Sequence, residues 1–178
     1  MDISMKAALE NEKNENENEQ NNVKVASGFE GLLVLLGIGI VLSPIRLVTE
    51  LYSTYLPIFT DGTWDKITSM NSLSYDPYWG TLVIIELIAN VVFLFLAIHL
   101  LQLYFKKKAI FVKWYLIVAT LSTTFILADA YIVAFVYPTI DFASTDNMTN
   151  FASSLIALLL WAPYLYRSQS AKNTFVND

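Results

Sequence analysis

The chain has 178 residues, of which 55% are hydrophobic and only 15% are charged, and its formal net charge is −5. An ordinary soluble domain carries about 25% charged residues, so this composition disfavours a soluble globular protein. Cysteine is absent, which excludes disulfides, thiolate catalysis and cysteine-ligated metal sites. The sequence therefore predicts an all-α polytopic membrane protein, with four transmembrane helices in a bundle.

The N-terminal segment, residues 1–24, is rich in Asn and Glu, as in the stretch NEKNENENEQNN. Such a segment cannot bury enough apolar surface to offset the entropy of ordering, so we expect a disordered cytoplasmic tail. It lacks the basic start and directly following apolar stretch of a signal peptide. An acidic tail could recruit a partner, but a solvated extension is the simpler interpretation.

The membrane domain is predicted over residues 25–167, with spans at about 28–51, 79–105, 110–137 and 149–166. Each span contains a largely apolar window of roughly the length that crosses a bilayer, about 20 residues. The long outer loop, residues 52–78, contains Trp64, Ile67 and Met70 at the spacing of a short helix, which could lie on the membrane surface or form an inert structured cover over the bundle. Residues 168–178 are expected to form a short cytoplasmic tail.

The distribution of basic residues predicts the orientation of the bundle. Lys and Arg are retained on the cytoplasmic side of membrane proteins. Before span one, between spans two and three, and after span four the chain carries Lys13, Lys24, Lys106, Lys107, Lys108, Lys113, Arg167 and Lys172. The two opposite loops carry only Lys66. Both termini are therefore expected in the cytoplasm.

Ionisable residues from three different spans are predicted to share one layer in the outer leaflet. Counting along helices of alternating direction places Arg46, Glu86 and Asp129 at similar depths. A charge inside the bilayer is costly, so such groups usually face the bundle interior and pair. We expect a polar intramembrane cluster in which Arg46 contacts Glu86 or Asp129, with Glu50 one turn above and Asn90 on the Glu86 face.

Two questions about this cluster stay open at the level of sequence. Arg46 could instead extend to the outer headgroups, and Glu86 could be protonated and hydrogen-bonded. The cluster could also be a structural clamp or the centre of a transport pathway. If the groups interact, substitutions at Arg46, Glu86 and Asp129 will not destabilise the protein additively.

The end of span four is predicted to anchor the bundle at the inner interface. Trp161 and Tyr164 are amphipathic rings suited to that depth, and Pro163 removes a backbone donor from the last turn. Arg167 follows directly, near anionic headgroups. His99, in span two, lies on roughly the opposite face from Asn90 and is expected to be a packing residue.

Five segments occur in a recognisable order: YDPYWG, IELIAN, KKK, LADAY and LLWAPYLYRSQSAKNTFV. In these segments the chain resembles domain-of-unknown-function family 2569, which comprises bacterial integral membrane proteins with about four spans. The resemblance covers roughly residues 28–176. It implies a multi-pass protein of the bacterial cytoplasmic (inner) membrane, and it implies no activity.

Three classes of function are compatible with a chain of this kind. The first is a non-enzymatic scaffold or accessory subunit of an envelope complex, and the second is a small ion- or proton-coupled transporter that uses the Arg46/Glu86/Asp129 layer as a dimer. An intramembrane enzyme is disfavoured because the sequence contains no HExxH, GxSxG or phosphate-binding glycine-rich motif. We expect membrane lipids, and another membrane protein or a second copy, as partners, with no catalytic residue, cofactor, metal or nucleic acid.

Overall fold

The computed structural model describes residues 31–139 and 145–177, with side chains described from residue 148 onward in the second range. Its four long helices are α1 (Gly31–Thr60), α3 (Trp79–Phe105), α4 (Phe111–Val136) and α5 (Thr145–Arg167), and its two short ones are α2 (Thr63–Thr68) and α6 (Gln169–Thr174). All four long helices are long and apolar enough to cross a membrane. The described residues contain no β-strand, so the all-α membrane fold is confirmed. The predicted tail, 1–24, lies outside the described residues.

The first helix extends well beyond its predicted end near Leu51 and finishes at Thr60. Its turn at Leu51–Tyr55 is a π-helix, in which the Leu56 N–H donates to the Leu51 carbonyl. This wider turn leaves room for the ring of Pro57, which cannot donate the usual backbone hydrogen bond. The polar residue Glu50 therefore lies inside the helix, and the predicted loop of residues 52–78 is shortened to residues 61–78.

We call the end of the bundle that carries residues 61–78 the loop end. Here a short helix is present as α2, in which Ile67 is buried, and α2 packs against the start of α3. Trp64 contacts the ring of Phe59, with 5.0 Å between the ring centroids. Asp76 caps α3, because its Oδ1 accepts hydrogen bonds from the backbone N–H groups of Tyr78 and Trp79 at 2.8 and 3.0 Å.

At the opposite end of the bundle the predicted C-terminal tail is folded, at least as far as Asn177. Residues 168–177, which we call the clip, turn back under the bundle through α6, and we call this the clip end. The side chain of Phe175 is only 6% exposed and packs against Phe111 and Tyr104, with ring centroids 4.4 and 5.7 Å apart. Ser168 starts α6 by accepting a hydrogen bond from the Ala171 N–H.

The clip is fastened to the turn between α3 and α4 by three hydrogen bonds. The Asn177 side chain donates to the Lys106 carbonyl at 2.9 Å. The Asn177 backbone donates to the Lys107 carbonyl at 3.1 Å and accepts from the Ala109 N–H at 2.8 Å. These contacts show that residues 168–177 fold against the bundle, which the sequence did not predict.

The clip end also contains the main hydrophobic core of the protein. The Tyr104 hydroxyl donates to the Leu33 carbonyl at 2.8 Å and thereby joins α3 to α1. Gly37 allows this approach, since a Cβ there would lie 2.5 Å from the Tyr104 hydroxyl. The buried members of the core are Leu33, Leu36, Ile40, Leu100, Leu103, Phe111, Tyr164, Leu165, Ala171 and Phe175.

Candidate functional site

Two contacts between α1 and α3 fix the relative depth of their residues. The Tyr104 hydroxyl reaches Leu33 near the clip end, and the Tyr55 hydroxyl reaches the Glu86 carboxylate, Oε2, at 3.3 Å nearer the loop end. Along α1 these two levels lie about 33 Å apart, at 1.5 Å per residue, which is close to the thickness of the hydrocarbon core of a bilayer. Glu86 therefore lies towards the loop-end boundary of the apolar layer.

The carboxyl groups of Glu86 on α3 and Asp129 on α4 lie close enough to interact directly. Both side chains are half-buried. A hydrogen bond between two carboxyl groups requires a proton on one of them, and two adjacent carboxylates in a poorly solvated site repel strongly. Two carboxyl groups this close, from two helices, can share one proton.

Tyr55 of α1 completes this arrangement from a third helix. Its side chain is only 5% exposed. Its hydroxyl donates to Glu86 and accepts a hydrogen bond from the Asn90 side-chain amide at 2.9 Å. The same amide nitrogen also donates to the Glu86 carbonyl at 3.1 Å, which orients it. We call Tyr55, Glu86, Asn90 and Asp129 the carboxyl layer.

Tyr55 was not predicted to be a site residue, because span one was predicted to end at Leu51, which placed this tyrosine in a loop. The π-helical turn over Leu51–Tyr55 carries it into the carboxyl layer. Such turns often occur at functional sites in α-helices. The available signal was the apolar run LYSTYLPIF, which continues the hydrophobic pattern of the helix past Glu50.

The predicted contact between Arg46 and Glu86 or Asp129 is absent from the described residues. Arg46 is exposed on α1, and the charged groups that act on the two carboxyls are each other and Glu50. The reason is depth. Arg46 lies about 13 Å below Tyr55 along the helix axis, at about 1.5 Å per residue, in the middle of the apolar layer. Glu50, which is half-buried, is close enough to affect both Tyr55 and Glu86 electrostatically.

The four residues of the predicted inner-interface anchor separate into two pairs. Tyr164 is buried in the clip-end core, and Trp161 packs edge-on against it with ring centroids 5.8 Å apart. Pro163, inside α5, and Arg167, in its last turn, are exposed. The aromatic pair thus contributes to packing, whereas Arg167 is available to solvent or headgroups.

The loop end carries a second polar contact, outside the spans. The backbone N–H of Tyr78 is the main cause that lowers the pKa of Asp76, followed by the hydroxyl of Tyr137. Burial, followed by the adjacent Asp76, raises the pKa of Tyr137 to about 12. The Tyr137 ring also packs edge-on against Trp79, with centroids 5.6 Å apart. This contact ties the end of α4 to the start of α3.

The described residues limit the kinds of chemistry that the site could perform. They contain no group of three His, Cys, Asp or Glu side chains that could hold a metal ion. His99 packs edge-on against Trp114, with ring centroids 5.1 Å apart, on the clip-end side of the carboxyl layer. What the arrangement provides is a hydrogen-bonded chain from Asn90 through Tyr55 to Glu86, with the Asp129 carboxyl beside Glu86.

Comparison with known proteins gives one match. A family model described as "Protein of unknown function (DUF2569)" matches residues 26–176, which include the carboxyl layer and the clip up to Val176. No curated protein and no solved structure matches the chain.

Proposed function

The chain belongs to the DUF2569 family of proteins of unknown function, and on that premise we propose that it is a non-enzymatic accessory or scaffold protein that holds another membrane protein of the cell envelope. Its four apolar helices indicate a multi-pass membrane protein. The proposal is carried by one observation, which is the exposure of Arg46 at the middle depth of α1.

Arg46 is an unusual residue to leave exposed at this depth. Among the described residues no ion pair joins it to a carboxylate. Its neighbours on α1, Leu42 and Ile45, are more than half exposed and apolar, as expected of a surface that meets lipid or another helix. A guanidinium at the centre of a membrane helix costs on the order of 2.5–3.5 kcal/mol on insertion scales, so it normally pairs.

This surface fits a partner helix of definite chemistry. We expect a transmembrane segment with Asp or Glu near its midpoint, flanked by aliphatic residues that pack on Leu42 and Ile45. A bidentate pair between guanidinium and carboxylate would neutralise both charges at once. Such a pair would set the register of the two proteins, a role for which intramembrane polar residues are suited.

Affinity purification from native membranes in mild detergent tests the proposal. Wild-type protein should recover a membrane protein that Arg46→Gln loses. Arg167→Gln is the matched control, because it removes an exposed arginine at the clip end and should retain that partner. Recovery of the same proteins with Arg46→Gln, or of a clean monomer with the wild type, would contradict the proposal. Recovery of only a second copy of this chain would instead identify self-association as the role of Arg46.

The orientation and location form part of the same proposal. The clip end carries Lys106, Lys107, Lys108, Lys113, Arg167 and Lys172, whereas the loop end carries Lys66. The excess of basic residues supports a cytoplasmic clip end in the bacterial inner membrane. A single introduced cysteine at Ser74, in an otherwise cysteine-free chain, should react with an impermeant thiol reagent in intact cells, and one at Asn173 should not.

A second candidate function, a small proton-coupled transporter, is favoured by the carboxyl layer. Glu86 and Asp129 come from two helices and are in direct contact, with Tyr55 from a third helix. Intramembrane carboxyl groups commonly form proton relays in transporters. Four helices would require a second copy to enclose a path, so this candidate predicts a dimer.

Proton movement into proteoliposomes under an imposed membrane potential separates the two candidates. A transporter should admit protons, and Glu86→Gln or Asp129→Asn should abolish that movement. Asp65→Asn on α2 is the control, since it removes an exposed carboxylate outside the spans. Equal proton movement in all variants, or none in the wild type, would exclude a proton pathway through the carboxyl layer.

A further inference from the structure

The clip end presents an exposed basic surface made by several elements. It comprises Lys106, Lys107 and Lys108 in the α3–α4 turn, Lys113 in the first turn of α4, Arg167 at the end of α5, and Lys172 on α6. All of these side chains are exposed except that of Lys108, which is half-buried. We call these six residues the basic surface.

The clip is what brings these residues together. Lys172 would lie on a separate tail if residues 168–177 were unfolded. Instead, Ala171 and Phe175 are buried in the core, and Asn177 is hydrogen-bonded to the backbone of Lys106 and Lys107. The basic charges of the turn and of α6 are therefore held at one end of the bundle.

The described segments that build this end contain no acidic side chain, and Asp178 follows them in the sequence. Residues 31–49, 104–128 and 148–177 contain no Asp or Glu. On α1, α3 and α4 the acidic groups nearest this end are Glu50, Glu86 and Asp129, which lie towards the loop end. A net positive surface of this kind produces a local field that attracts an anionic partner.

An acidic segment of the same chain precedes α1, which begins at this end. Residues 1–30 lie outside the described part, and they contain seven acidic and three basic residues, for a net charge of −4. Five of the acidic residues are concentrated in one stretch, Glu10, Glu12, Glu15, Glu17 and Glu19. The described chain begins at Gly31, close to Leu33, which is hydrogen-bonded to Tyr104 at the clip end.

The tether is long enough for contact. The chain between Glu19 and Gly31 can span up to about 40 Å when extended, at about 3.5 Å per residue. A helix is about 10 Å wide with its side chains, so this reach exceeds the width of one end of a four-helix bundle. Attachment at the same end also makes binding intramolecular, which raises the effective concentration of the acidic stretch.

We propose that the acidic stretch Glu10–Glu19 binds the basic surface of its own chain and covers it. Exposed ion pairs are individually weak and strongly screened, so binding depends on several pairs acting together and weakens as salt increases. An anionic lipid headgroup would meet the same lysines, and it is the competing occupant that the experiment distinguishes.

Amine-reactive labelling of the full-length protein in phosphatidylcholine nanodiscs tests the contact. The variant replaces Glu10, Glu12, Glu15, Glu17 and Glu19 by Gln and leaves residues 31–178 unchanged. At about 0.01 M salt, where the screening length is about 30 Å, Lys106, Lys107 and Lys172 should label several-fold faster in the variant than in the wild type. At about 1 M salt, where that length is about 3 Å, the difference should disappear.

Lys66 at the loop end is the internal control and should label at the same rate in both proteins. Carbodiimide cross-linking of mixed heavy- and light-isotope proteins gives the second readout, and links from the acidic stretch to Lys106, Lys107 or Lys172 should form within one chain. Equal labelling rates, or links only between chains, would overturn the proposal. A rate difference that appears only in phosphatidylglycerol nanodiscs would also overturn it, by assigning the basic surface to lipid.

Discussion

The clip end and the carboxyl layer are stabilised in opposite ways. At the clip end, Phe175 is almost fully buried against Phe111, and the hydrogen bonds of Asn177 fasten the clip around this apolar packing. In the carboxyl layer, Glu86 and Asp129 are only half-buried, and hydrogen bonds define the arrangement. The two regions are joined by α1, α3 and α4, which contribute residues to both.

Packing determines the structure at the clip end, whereas the carboxyl layer can change its interactions when its protonation changes. A packed aromatic core has one arrangement and resists change. A half-buried pair of carboxyl groups changes its interactions when a proton arrives or leaves. We therefore expect substitutions to have large structural effects at the clip end and smaller, chemically specific effects in the carboxyl layer.

The largest effect is expected for Phe175→Ala. Truncation of a buried phenylalanine costs about 3–5 kcal/mol, so the clip should open about a hundredfold more often or more. Hydrogen exchange of the Ala109 amide, which donates to Asn177, reports this opening. Val176→Ala is the matched control, because Val176 is 61% exposed, and it should leave the exchange rate unchanged.

A smaller loss of stability is expected for Gly37→Ala. The added methyl group would collide with the Tyr104 hydroxyl and disrupt its hydrogen bond to Leu33, at a cost of about 1–3 kcal/mol in the free energy of unfolding. Gly39→Ala is the control, since nothing lies within 4 Å of its added Cβ. That variant should gain up to about 1 kcal/mol from helix propensity. Equal effects at both glycines would contradict the close contact between Gly37 and the Tyr104 hydroxyl.

Tyr55→Phe should cost about 1–2 kcal/mol, because Glu86 loses a donor and the Asn90 amide loses an acceptor. The free energy of unfolding in mild detergent measures the loss. Tyr52→Phe, one turn earlier on α1 and 71% exposed, should have no measurable effect. If the two variants behave alike, the hydroxyl of Tyr55 does not belong to the carboxyl layer.

The smallest effect is expected at the loop end, as a pH dependence. The pKa of Asp76 is lowered in the folded protein by backbone N–H groups, so its stabilising contribution is present above the unfolded value of 3.8 and is lost as pH falls below that value. Hydrogen exchange in the first turn of α3, corrected for intrinsic rates, should increase over that range. Asp76→Asn should abolish this pH dependence, whereas Asp65→Asn should retain it.

The sequence predicts the fold better than the site because the two depend on different information. Three spans appear with nearly the predicted bounds, since long apolar runs between charged segments indicate membrane helices directly. The pairing of Glu86 with the Asp129 helix also follows from counting residues along antiparallel helices. No such count reveals that the π-turn and Pro57 continue α1 to Thr60, and this extension moves Arg46 away from Glu86.

The sequence did not predict the folded clip, for a related reason. Residues 168–178 are short, polar and terminal, and such segments are usually poorly ordered. Their order depends on the packing of Phe175 against Phe111 and Tyr104, which are distant in sequence. The one local signal was a large aromatic residue in a polar tail, which is hard to leave exposed without cost.

The central claim is that Glu86 and Asp129 form one hydrogen-bonded unit from which Arg46 is separate. A double-mutant cycle on the free energy of unfolding tests it most directly, with Glu86→Gln, Asp129→Asn and Arg46→Gln as the single variants. The Glu86 and Asp129 substitutions should be non-additive by about 1 kcal/mol or more, and Arg46→Gln should add to either within about 0.5 kcal/mol. Additive carboxyl substitutions, or coupling of Arg46 to either carboxyl, would contradict the account.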